Sequence, residues 1–182
     1  MTKKIYIGLA LLLVVLVAFV LYGVLIASKK SPKETTTFSD KGLDIKVVYG
    51  RPFKRGRLIF GEKKDEALLP YGVYWRLGAN AATEITFSKN VNFAGEAVNA
   101  GSYRMYAVPG ADSFEISLNS ELGVSAAHNE PDYSKDVLKV KIPVEPTPET
   151  QQLTISFNGS STAINMDIAW DKIKVRVPIT LQ

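Results

Sequence analysis

Leu43-Asp44-Ile45-Lys46-Val47-Val48-Tyr49 decides the fold class. Leu43, Ile45, Val47 and Tyr49 alternate with Asp44, Lys46 and the smaller Val48, which is the two-residue period of a strand with one face buried. Working outward, the same alternation returns at 84–87, 103–108, 114–118, 137–142, 153–157, 164–170 and 173–179. Turn residues punctuate these runs: Asn99-Ala100-Gly101, Pro109-Gly110, the prolines between Pro143 and Pro148, and the hairpin dipeptide Asn158-Gly159. Outside the N-terminal segment the only helical stretch expected is a turn or two around 64–69, stopped by Pro70, so strands joined by crossover helices are not expected. The reading is an all-β, antiparallel two-layer β-sandwich, jelly-roll-like, with a closed barrel as the alternative. No internal repeat or second domain boundary interrupts it.

Upstream, residues 5–27 carry no charge and are rich in Leu, Val, Ile, Ala and Phe. As a helix they rise about 34 Å, enough to cross a hydrocarbon core of about 30 Å. A cleaved signal peptide is the rival, with Lys3 and Lys4 as its basic start, but this apolar core is longer than such peptides use, and Leu25 occupies a position where cleavage wants a small residue. The absence of cysteine excludes attachment through a lipidated cysteine and a disulfide scaffold. The expected layout is a basic flank at 1–4, a transmembrane helix at 5–27, a juxtamembrane linker at 28–37 and a β-sandwich domain at 38–182. The helix would be the chain's contact with the membrane. Basic residues flank it on both sides, Lys3 and Lys4 before and Lys29, Lys30 and Lys33 after. A long C-terminal domain translocates largely regardless of such charges, so a single-pass protein with a periplasmic C-terminal domain is expected.

Setting Lys3 and Lys4 aside leaves 20 basic and 18 acidic residues, too weak a bias for a nucleic-acid partner. One histidine and no cysteine leave no zinc site, and no metal or other cofactor is expected. His128 lies near Ser125, Asp132, Ser134 and Asp136, yet no Gly-x-Ser-x-Gly elbow accompanies it, and a solvent-exposed loop histidine is the simpler reading. Phosphate-cradling and dinucleotide-binding glycine motifs are missing. Tyr49, Tyr71, Tyr74, Tyr103 and Tyr106 would line a sugar platform or, more simply, pack within the sheets.

Two segments remain: Tyr49-Gly50-Arg51-Pro52-Phe53-Lys54-Arg55-Gly56-Arg57-Leu58-Ile59-Phe60-Gly61, and Pro70-Tyr71-Gly72-Val73-Tyr74-Trp75-Arg76-Leu77-Gly78-Ala79-Asn80-Ala81-Ala82-Thr83-Glu84-Ile85. Together they resemble the bacterial envelope proteins grouped as domain of unknown function 2911. Ala100-Gly101-Ser102-Tyr103, Tyr133-Ser134-Lys135-Asp136-Val137 and Val175-Arg176-Val177-Pro178 extend the resemblance over nearly the whole outer part. It departs at 123–129, where such proteins tend to carry a Trp-Gly pair. The resemblance implies an envelope location and no activity.

Read as chemistry, Arg51, Lys54, Arg55 and Arg57 put four cations into seven residues, a loop suited to carboxylate, sulfate or phosphate. Trp75, Arg76, Asn80, Thr83 and Glu84 would extend that site, with Arg76 and Glu84 within reach of one another. Three functions follow: binding of a small anionic or carbohydrate ligand or an envelope protein partner; hydrolysis through a carboxylate beside Arg76; or a scaffold in which these residues only hold two sheets together.

Overall fold

A computed structural model describes residues 2–40, 42–125, 129–159 and 164–182, with the side chains of 2–5 and 24–30 excepted. The N-terminal helix α1 spans Thr2–Lys30. It is followed by β1 (Lys33–Asp40), β2 (Leu43–Gly50), β3 (Phe60–Gly61), β4 (Leu69–Pro70), β5 (Thr83–Phe87), β6 (Val91–Phe93), β7 (Glu96–Val98), β8 (Gly101–Val108), β9 (Ser113–Asn119), β10 (Asp136–Gly159) and β11 (Ile164–Leu181). Nine strands form one antiparallel sheet in the order β1-β2-β5-β8-β9-β10-β11-β6-β7, while β3 and β4 make a small parallel pair.

The all-β expectation holds, and the opening stretch forms β2, whose inward residues Leu43, Ile45, Val47 and Tyr49 are buried. The two layers are halves of a single sheet joined through the 24-residue β10. Residues 136–143 of β10 pair with β9, and from Val144 onward it pairs with β11. Pro143 marks the changeover because proline has no amide hydrogen to continue the ladder, while its fixed φ keeps the chain extended. The prolines at 143–148, expected as a turn, are therefore the point where a strand passes from one layer to the other.

Inward side chains of both layers form one cluster. Phe87 of β5 and Phe93 of β6 meet across it edge-on, ring centroids 6.2 Å apart. With roughly 25 cal/mol for each Å² of apolar surface removed from water, this shared core is the main stabilising term.

Other boundaries also move. The polar stretch 33–37, expected as linker, is most of β1, which pairs with β2 from Lys33↔Gly50 to Asp40↔Leu43. Its threonines suit an edge strand. The breaks expected near 171 do not divide β11, because Asp171 adopts a left-handed φ of 60° and the strand continues past an irregular register. The helix expected at 64–69 is reduced to a 3-10 turn at Lys63–Asp65.

α1 is long and apolar enough to cross a membrane over Tyr6–Gly23, and none of that window is buried against the domain. By length and composition it is either an anchor or a signal sequence.

Candidate functional site

The site forms where the end of β2 crosses the segment before β5. Gly50 passes so close to Ala79 that a Cβ at Gly50 would lie 1.9 Å from the Ala79 carbonyl oxygen. The Ala79 amide donates to the Gly50 carbonyl at 3.2 Å. Only glycine permits this approach, and it sets Arg51–Arg57 beside Arg76–Asn80.

Residues after Gly50 run along β10. Leu153 N donates to the Pro52 carbonyl at 3.0 Å and Lys54 N to the Gln151 carbonyl at 2.7 Å. Arg51 is a strap: Nε donates to the Leu153 carbonyl and Nη2 to Thr154 Oγ1, each at 2.9 Å. Lys54 reaches Asp171 at 2.6 Å and Glu149 at 2.5 Å, and these carboxylates hold its pKa above the ordinary lysine value. Arg51 and Lys54 thus serve the fold. Beyond them the chain turns at Arg55 and Gly56, both at positive φ.

The turn borders a pocket of about 620 Å³ whose wall includes Arg55, Arg57 and Arg76 together with Trp75, Trp170, Tyr74, Asn80 and Ser31. Arg57 is braced by the carbonyls of Phe53 (2.5 Å) and Lys54 (3.0 Å), contacts that fix its direction without cancelling its charge. Arg76 Nη1 donates to the Asn80 carbonyl at 3.3 Å. Arg55 lies 6.0 Å from the Phe53 ring centroid. Among the described residues the wall includes no aspartate or glutamate.

Of the nine residues expected at a site, five line this pocket: Arg55, Arg57, Trp75, Arg76 and Asn80. Arg51, Lys54, Thr83 and Glu84 do not. Thr83 is buried and its hydroxyl donates to the Leu77 carbonyl at 2.9 Å. Glu84 accepts from the Gly123 amide at 2.8 Å. Trp75 is a core plug that also borders the pocket: it exchanges backbone hydrogen bonds with Ala107 and is 3% exposed. Trp170, which also borders the pocket, keeps a buried indole N–H with no partner among the described residues. Of the five tyrosines weighed for a sugar platform, Tyr74 alone is in the wall.

Behind Tyr74 lies a polar cluster that the sequence reading missed. Arg104, only 1% exposed, donates from Nη1 to Glu121 at 2.5 Å and from Nη2 to the Tyr74 hydroxyl at 2.7 Å and the Asn129 carbonyl at 3.1 Å. A buried cation without such partners would cost several kcal/mol. Beside it the Tyr106 hydroxyl donates to Asp136 at 2.8 Å, and burial chiefly raises its pKa. The Tyr133 hydroxyl is pushed up to about 12, first by burial and then by its hydrogen bond to Glu130. An arginine in mid-strand gives no sequence signal of burial, because its partners come from other elements, 17 to 30 residues away. His128 lies outside the described residues.

No group of three metal-ligating side chains occurs among the described residues. The family model for proteins of unknown function (DUF2911) matches residues 31–179. The chain belongs to that family. No curated protein and no solved structure gives a significant match.

Proposed function

We propose that this pocket binds a small anionic ligand, a phosphate- or carboxylate-bearing group with an apolar or sugar portion, on a domain held at the membrane by α1 outside the cytoplasm. The observation that carries this reading is the convergence of Arg55 and Arg57, with Arg76 beside them, on one concave wall that includes no carboxylate among the described residues. Guanidinium groups match phosphate and carboxylate geometry. The edges of two largely buried indoles, Trp75 and Trp170, complete the lining and give it an apolar part for the rest of a ligand. Hydrolysis through paired carboxylates has less support, because Glu84 is outside the wall and, among the described residues, no other carboxylate replaces it there. The scaffold role is assigned to Arg51, Lys54 and Thr83.

The test is thermal unfolding of the full chain in detergent with sn-glycerol 3-phosphate, glucuronate, and neutral glycerol and glucose as controls. An anion at 100 times its Kd adds about 2.7 kcal/mol to stability, a rise of about 5–10 °C for a domain of this size. The reading predicts such a rise with an anion, little with the neutral compounds, and its loss in Arg55→Ala. Equal behaviour of charged and neutral compounds would leave the scaffold role alone.

A further inference from the structure

The position of the pocket in the chain restricts where its ligand comes from. Ser31, part of the wall, directly follows Lys30, the last residue of α1. The apolar window ends at Gly23 and uncharged residues continue through Ser28. At 1.5 Å of helical rise per residue the wall begins about 5–12 Å beyond the hydrocarbon. The headgroup layer on one side of a bilayer is about 5–8 Å deep. If α1 is retained as an anchor, covalent connection alone keeps the wall at or just above the headgroups, whichever side the domain occupies.

The rim has a second character besides charge. Leu58 and Leu68 are 47% and 40% exposed, Leu68 is part of the wall, and its amide donates to the Leu58 carbonyl at 2.9 Å. A single exposed leucine is ordinary. Two neighbours beside Arg55 and Arg57 at the membrane-proximal end combine apolar and cationic groups as an interfacial surface does.

We propose that the pocket takes its ligand from the membrane: the phosphate headgroup of an anionic phospholipid in the leaflet from which α1 emerges. Arg55 and Arg57 face the phosphate, and Leu58 and Leu68 lie against the first carbons of the acyl chains. This rests on reading the pocket as an anion site and α1 as a retained anchor.

Trp75 and Trp170 are the chain's only two tryptophans, and both line the pocket, so tryptophan emission reports on it without background from α1. The full chain is placed in phosphatidylcholine nanodiscs, in nanodiscs containing phosphatidylglycerol, and in phosphatidylcholine nanodiscs titrated with sn-glycerol 3-phosphate. The expected result is an emission change with phosphatidylglycerol at effective concentrations at least about tenfold below those needed for the soluble phosphate. Arg55→Ala and Leu68→Ser, checked for unchanged thermal unfolding, should weaken it. A change with the soluble phosphate and none with the lipid overturns the membrane source and leaves the anion site standing. No change with either overturns both.

Discussion

Trp75 and Trp170 stack with ring centroids 6.2 Å apart and planes 27° apart, an aromatic pair that belongs to the core and also borders the arginine pocket. Phe60 meets both edge-on, at 5.7 and 6.3 Å. The proposed site and the stability of the domain therefore share these rings. Trp170→Ala should destabilise the domain by about 3–5 kcal/mol through lost contacts and a cavity, measured by denaturant unfolding.

Gly50 sets the pocket by letting two backbones touch. In Gly50→Ala the new methyl must displace the Ala79 carbonyl, at a cost of about 1–3 kcal/mol or more. Gly56→Ala meets open space and carries only the strain of a positive φ of 71°, about 1 kcal/mol. Comparing their melting temperatures checks the order: Gly50→Ala should be the less stable.

Asp167 and Arg176 form a two-pronged ion pair at 2.7 and 2.8 Å, which holds the Asp167 carboxyl below its ordinary pKa. The folded pKa is the lower one, so this stabilisation is fully present above the unfolded value near pH 4. It is lost as pH falls through the folded pKa, because the unfolded state takes up the proton first. Unfolding followed from pH 6 to pH 2 should show a smaller acid-dependent loss in Arg176→Gln than in the parent.

β1 lies in what composition marks as a linker. Removing residues 1–37 deletes the pairs from Lys33↔Gly50 to Thr37↔Lys46, and with them the Pro32 carbonyl that accepts from the Arg51 amide at 2.8 Å. A soluble fragment beginning at Phe38 should melt several degrees below one beginning at Ser31.

The strands that bury one face could be read from the chain: Leu43, Ile45 and Val47 alternate with solvent-facing residues, and the neighbouring β5 shows the same alternation. Strand ends were less legible. Pro143 ends one ladder and begins another without a turn, an outcome fixed by the register of β11. The hairpin of β6 and β7 has only three residues on each side, too short for a period to show. Arg55, Arg57, Trp75, Arg76 and Asn80 were found together because motif and cation density mark both segments. Sequence could not separate them from Arg51 and Lys54, since that depends on Leu153, Glu149 and Asp171, about a hundred residues away. Arg104 gave no signal either, because its partners Glu121, Asn129 and Tyr74 come from other segments, 17 to 30 residues away.

The most direct measurement is equilibrium binding of sn-glycerol 3-phosphate to the full chain in detergent, followed by tryptophan emission, in the parent, Arg55→Ala and Lys54→Ala. Arg55 makes no hydrogen bond or ion pair among the described residues, so its removal should leave stability within about 0.5 kcal/mol of the parent. Lys54→Ala releases Glu149 and Asp171 and should lower the melting temperature. The account predicts saturable binding by the parent, weakened about tenfold or more in Arg55→Ala with its melting temperature unchanged. Absence of saturable binding, or equal affinity in the parent and Arg55→Ala, would contradict it.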